Sequence, residues 1–154
     1  MRASRMFTAL GLIGAAGVAC KDNVTGIPAG LEVYTATLNG ANEAPTPVTT
    51  TATGTAIITV LGNQVTWKVD ITTAIDSIIL GHIHRHAADS VAGNVQVNFN
   101  PAATGMGFTG TATVGSQANV ADSILALMRA GRGYVNIHTK KHTGGEIRGT
   151  LVKQ

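Results

Sequence analysis

The sequence is poor in cysteine, in aromatic residues and in charge. Its 154 residues include one cysteine, which excludes an internal disulfide and the common Cys₂His₂ and Cys₄ zinc sites. Aromatic residues make up 4% of the chain, which disfavours a sugar-binding platform of stacked rings. Charged residues make up 12% against 44% hydrophobic residues, a balance too apolar for a disordered chain. The length is that of one domain with its own core.

The longest apolar stretch lies near the N-terminus. The uncharged segment Met6–Ala19 follows Arg2 and Arg5. It is shorter than the roughly 20 residues that a membrane-spanning helix needs. A basic start followed by a short apolar stretch is typical of a secretory signal peptide.

The lone cysteine directly follows this stretch. The segment Gly17-Val18-Ala19-Cys20 resembles a bacterial lipobox, in which the cysteine becomes lipidated, although the family usually has Leu at the position of Gly17. We predict a lipoprotein signal peptide over residues 1–19, lipidation of Cys20, a tether over residues 20–30 and one domain over residues 31–154. We therefore expect a periplasmic or outer-membrane protein with a lipid anchor. An ordinary signal peptide with an incidental cysteine is the alternative.

The basic balance of the chain belongs partly to the signal peptide. Removal of residues 1–19 takes away Arg2 and Arg5, which leaves nine basic against eight acidic residues. The only basic pair in the remaining chain is Lys140-Lys141. Because nucleic-acid surfaces cluster Lys and Arg, we expect no nucleic-acid partner.

The predicted domain is dominated by Thr, Val, Ile and Gly, a composition of strands and turns. Gly62-Asn63 predicts a two-residue hairpin turn, followed by the alternating pattern of Val65, Trp67 and Val69. The fold class is therefore all-β, an antiparallel Greek-key-like sandwich or small barrel. Strands are predicted over residues 31–38, 54–61, 64–72, 75–84, 94–99, 108–114, 133–138 and 146–152.

One segment departs from the strand pattern. Residues 121–130 combine helix formers with an apolar face and predict one short helix near residues 120–130 that plugs one end of the fold. Asn119 is the expected N-terminal cap, Asp122 suits the first turn, and Gly131 is expected to end the helix in a left-handed conformation.

The five histidines form two groups. His82, His84 and His86 lie in one predicted strand and its end, whereas His138 and His142 lie in and after a later strand. Because strand residues two apart share a face, His82 and His84 present two imidazoles side by side.

Clustered imidazoles favour a late first-row metal, with Cu(II) preferred and Zn(II) as the alternative, because no thiol or carboxylate cluster accompanies them. We predict His82, His84 and His138 as ligands and His142 or His86 as a fourth. A non-enzymatic module that binds an envelope protein or a glycan, with histidines that merely pack, is the alternative.

Other candidate chemistry is sparse. No Gly-x-Ser-x-Gly nucleophile motif is present. Glu146 and Arg148 lie two apart in a predicted strand, and we expect a structural ion pair between them rather than acid–base catalysis. An enzyme is therefore not the favoured class, and superoxide dismutation at an open metal position is a minor alternative.

Three segments resemble the CHRD domain, a family named from the animal protein chordin and found in many bacterial secreted proteins. They are Ala36–Pro45, Gly81–His86 and Gly133–Thr139, the last followed by Gly144–Gly149. The resemblance implies an extracellular or envelope β-rich module that shares His82, His84 and His138. In chordin these domains belong to a protein that binds secreted growth factors. The His-x-His strand with a distant third histidine also resembles the copper site of Cu/Zn superoxide dismutases, whose disulfide cysteines are absent here.

Overall fold

The predicted strand segments pair into one antiparallel sheet in the computed structural model, which describes residues 28–86 and 93–154. The predicted signal peptide, Cys20 and most of the tether lie outside the described residues. The strands are β1 (Glu32–Asn39), β2 (Thr53–Leu61), β3 (Gln64–Ile75), β4 (Ile78–Arg85), β5 (Val95–Asn98), β6 (Phe108–Gln117), β7 (Gly133–Thr139), β8 (Ile147–Thr150) and β9 (Val152–Lys153).

The sheet curves until its two edge strands come close to each other. Its strand order is β5-β4-β7-β8-β1-β2-β3-β6, with β9 also paired to β1. The ring of Trp67 stacks on that of Phe99, just after β5, with centroids 5.0 Å apart. The hydroxyl of Thr113 on β6 donates to the carbonyl of Phe99 at 3.3 Å. These contacts make the sheet nearly a closed barrel, which confirms the predicted all-β class.

Alternation along the strands separates the core from the solvent. In β3, Val65, Trp67 and Val69 are buried, whereas Lys68 between them is exposed. The preceding turn has Gly62 at a φ of 59°, as the predicted two-residue hairpin requires. Each large apolar side chain buried in this way stabilises the fold by about 1.5–3 kcal/mol.

The predicted helix is present as α1 (Asp122–Arg129), and it buries Leu125 and Met128 in the core. Gly131 follows it at a φ of 68°, in the expected left-handed conformation. The predicted cap was wrong. Ala121 occupies the cap position and offers no side-chain bond, whereas Asn119 lies two residues before it, at a φ of 57°. No helix in the described part of the chain is long and apolar enough to span a membrane.

The observed strand boundaries differ from the predicted ones, and two of the differences change the pairing of the strands. The strand expected from residue 75 begins at Ile78, because β3 runs on to Ile75. The final predicted strand divides at Leu151 into β8, which pairs with β7, and β9, which pairs with β1. Leu151 is buried, and its N–H donates to the carbonyl of Gly133. The division allows the chain end to contact two strands in turn.

Candidate metal centre

The antiparallel pairing of β4 and β7 brings the two histidine groups together. His82 lies opposite Asn136, and Leu80, two residues earlier, lies opposite His138. Because opposed residues share a face, His138 is diagonal to His82 on the same side of the sheet. The other side carries Ile83, which is buried in the core.

Three imidazoles form one compact cluster, which we call the histidine triad: His82, His84 and His138. One ligand atom from each lies within 4.8 Å of the others. Nδ1 of His82 is 3.1 Å from Nε2 of His138. Metal–nitrogen bonds of about 2.0–2.1 Å place tetrahedral ligand atoms roughly 3.3 Å apart, so small ring movements would fit the triad to one ion.

Backbone carbonyls orient two rings of the triad. Nδ1 of His84 donates to the carbonyl of Gly93 at 2.8 Å, and Nδ1 of His138 donates to that of Thr143 at 3.0 Å. A carbonyl can only accept, so in each neutral ring Nε2 keeps the lone pair. This second hydrogen bond is the arrangement that orients most metal-ligating histidines.

The remaining hydrogen bonds leave a lone pair available. Since Nε2 of His138 accepts, Nδ1–H of His82 is the donor between these two rings. Nε2 of His84 is buried and has no hydrogen-bond partner. Buried polar atoms without a partner are rare, and an ion is one of the groups that satisfies them.

The electrostatics of the triad keep its rings neutral. Burial, together with the charges that His138 and His84 would carry, lowers the pKa of His82 to about 4. Burial also lowers the pKa of His84 and that of His138, although a backbone carbonyl bonded to each ring acts in the opposite direction. Neutral imidazole is the form that binds a metal, so the triad is ready to ligate at neutral pH.

The structure places His86 and His142 apart from the triad. Nδ1 of His86 lies 3.2 Å from the guanidinium of Arg148, and its ring lies 4.7 Å from that of Tyr134. His142 lines a separate cavity beside Glu43. Of the five predicted ligands, three therefore meet.

The predicted ion pair between Glu146 and Arg148 was wrong. Glu146 lies in the bend before β8, off the regular strand, and its carboxylate accepts from Thr50 at 2.8 Å and from Thr139 at 2.7 Å. The guanidinium of Arg148 lies 3.6 Å from the ring centroid of Tyr134. Salt bridges among the described residues join other side chains.

A second buried polar group, formed by Asn136 and Glu43, borders the triad. Nδ2 of Asn136 donates to Oε2 of Glu43 at 3.3 Å, and both side chains are buried. Asn136 faces the same side as the triad, as alternation with His138 indicates. No local pattern marked Glu43, because it follows β1 and reaches Asn136 only through the tertiary fold.

The three segments that carry the family resemblance therefore meet at one face of the sheet. The first contributes Glu43, the second contributes His82 and His84, and the third contributes Asn136 and His138.

Comparison with known proteins identifies the family of this chain. No curated protein and no solved structure matches the chain. The family model of the CHRD domain matches residues 34–151, which is most of the chain. The chain belongs to the CHRD domain family.

Proposed function

We propose that this CHRD domain binds a transition-metal ion through the histidine triad, with copper favoured over zinc. The observation that carries the proposal is the convergence of three neutral imidazoles within 4.8 Å. Two of the rings are already held by carbonyls, so binding requires little ordering of side chains.

The donor set supports copper. All three donors are imidazole nitrogens, which suit Cu(II) and Zn(II) better than Mg²⁺ or Ca²⁺. Copper(II) binds nitrogen sites most tightly among the divalent first-row metals. Three protein ligands leave a coordination position for water or another small ligand. Redox activity such as superoxide dismutation would need that position, and assay of the copper-loaded protein tests it.

We also propose that the protein is exported and anchored by a lipid. The basic start, the apolar stretch and Cys20 support export and lipid anchoring in the periplasm or at the outer membrane. Mass spectrometry of membrane-extracted protein should find a lipid on Cys20. A Cys20→Ser variant should lose the lipid, and an unmodified Cys20 in the wild type would refute the anchor.

Metal titration of untagged protein tests the triad. Calorimetry with CuCl₂ and ZnCl₂ should give one site per chain, and His84→Ala should weaken binding by more than roughly tenfold. His142→Ala is the matched control, because this histidine lies outside the triad. Circular dichroism confirms that each variant is folded. No bound metal, or equal losses in both variants, would refute the proposal.

The alternative function, a module that binds an envelope protein or glycan without metal, requires histidines that only pack. A separation of more than about 8 Å between the imidazoles of His82 and His138 would favour that role, because metal–nitrogen bonds are only about 2 Å long. The rings of His82 and His138 are instead 4.9 Å apart between centroids. A structured domain that fails to bind either metal in the titration would favour the alternative.

A further inference from the structure

Two buried oxygen atoms beside the triad lack hydrogen-bond donors. They are Oε1 of Glu43 and Oδ1 of Asn136. Both side chains are more than nine-tenths buried, with exposures of 6% and 5%. Leaving a buried acceptor unpaired costs about 1–3 kcal/mol, and more if the group is charged.

The two oxygens border the same point in space. A β-carbon at Gly145 would lie 2.6 Å from Oδ1 of Asn136 and 2.7 Å from Oε1 of Glu43. Nδ2 of Asn136 already donates to the other oxygen of Glu43 at 3.3 Å. One proton on Oε1 would satisfy both acceptors, because a carboxylic acid can donate and accept towards one amide.

We propose that Glu43 is held as a neutral carboxylic acid that donates to Oδ1 of Asn136, and that loss of this proton releases the loop bearing Glu43. We call these two side chains the acid–amide pair. The inference does not depend on metal binding by the triad. It assigns a pH-dependent contact to Glu43, whose backbone N–H also closes the 3₁₀ turn at Gly40–Asn42.

The charged surroundings of Glu43 fit this assignment. Burial raises the pKa of Glu43 to about 7, although Arg148, the amide of Asn136 and the N–H of Ala44 act in the opposite direction. Arg148 acts on Glu43 from β8. Four further titratable groups lie on the turn after β7, and two of them, Lys140 and Lys141, are exposed. His142 lines the cavity beside Glu43, whereas the carboxylate of Glu146 is bound by threonines.

The acid–amide pair joins the loop after β1 to strand β7, and a second loop approaches the pair at Gly145. The first loop begins with a short 3₁₀ turn at Gly40–Asn42 and is closed by the N–H of Val48, which donates to the carbonyl of Gly40 at 2.9 Å. The second is the turn after β7, whose Thr143 carbonyl orients His138. A cavity of about 260 Å³ lies between them and gives the first loop room to move.

Deprotonation would leave two hydrogen-bond acceptors, Oε1 of Glu43 and Oδ1 of Asn136, without a proton between them. The pair would lose the hydrogen bond from Oε1–H, and a buried carboxylate would remain with one oxygen unpaired. The loop that holds Glu43 would then separate from the turn after β7. The released state is expected above pH 7 and the closed state below it.

Carboxyl NMR of metal-free protein tests the proton directly. The chain has only three glutamates, Glu32, Glu43 and Glu146, so their ¹³Cδ signals can be assigned by substitution. The signal of Glu43 should titrate with a midpoint near 7, and the side-chain amide of Asn136 should shift with the same midpoint. A midpoint near 4.5 for Glu43, or an Asn136 amide that does not respond, would overturn the pair.

Hydrogen exchange tests the release of the loop. After correction for intrinsic rates, protection of the Val48 amide should fall at least tenfold between pH 5.5 and 8.5. Glu43→Gln should abolish this change, because its amide can both donate to and accept from Asn136 at any pH. Glu146→Gln is the matched control and should keep the change. Equal protection at both pH values in the wild type would refute the release, whatever the metal titrations show.

Discussion

Replacing Gly145 with alanine is expected to destabilise the protein by about 2–6 kcal/mol. Gly145 has a φ of 130°, in a region that favours glycine, and holding alanine there costs about 1–3 kcal/mol. The new β-carbon would also lie 2.5 Å from Nδ2 of Asn136 and 2.7 Å from Oε1 of Glu43. Crowding of this kind adds about 1–3 kcal/mol.

The crowded atoms cannot move aside freely. They are the ends of side chains, but both side chains are buried and hydrogen-bonded to each other. Moving either one would break that bond in the protein interior. We therefore expect the cost at Gly145 to combine backbone strain with loss of the acid–amide pair.

Gly144→Ala is the matched control for this prediction. An added β-carbon at Gly144 would meet no atom within 4 Å, and this glycine has no positive φ. Its replacement should change stability by less than about 1 kcal/mol, in the stabilising direction if alanine restricts the unfolded chain. Urea denaturation followed by tryptophan fluorescence measures both variants. Equal unfolding free energies for the two would refute the reasoning.

Three further predictions concern other parts of the fold. In metal-free protein the lowered pKa of His82, about 4 against an ordinary 6.5, gives stability that is present above pH 6.5 and lost on acidification. When the pH falls from 7.5 to 5, the unfolding free energy of the wild type should therefore decrease by about 2 kcal/mol more than that of His82→Gln. Equal decreases for the two proteins in urea titrations would contradict this. Thr113→Val should cost about 1–3 kcal/mol in denaturant unfolding, because Nε1–H of Trp67, which donates to Thr113 at 3.1 Å, would stay buried without an acceptor. Glu32→Gln should lower the unfolding free energy by about 1 kcal/mol in low salt and less in high salt, since Glu32 pairs with two half-exposed cations, and a salt-independent loss would argue against the ion pairs.

The period-2 pattern of strands made part of this structure predictable. It indicated that His82 and His84 share a face, and the hairpin at Gly62 follows from local turn chemistry. These features depend on neighbours in sequence, so the sequence alone contains the information. The convergence of His138 with His82 depends instead on the pairing of β4 with β7, which no local signal specifies.

The wrong predictions have the same physical origin. The ion pair of Glu146 and Arg148 assumed an unbroken strand, but β8 begins only at Ile147. The side chain of Glu146 therefore does not follow the alternation of the strand, and its carboxylate accepts hydrogen bonds from the hydroxyl groups of Thr50 and Thr139. The burial of Glu43 on Asn136 was equally invisible, because the two residues are brought together by packing between a loop and a central strand.

The position of the first strand has a consequence for how the chain folds. β1 is not an edge strand, because it pairs with β2 on one side and with β8 and β9, the last strands of the chain, on the other. Pairings between residues far apart in sequence form slowly, since loop closure must precede them. The sheet therefore cannot be completed until the C-terminal residues are available. A nascent chain of this topology stays incompletely folded until the residues of β8 and β9 have been synthesised and can pair with β1.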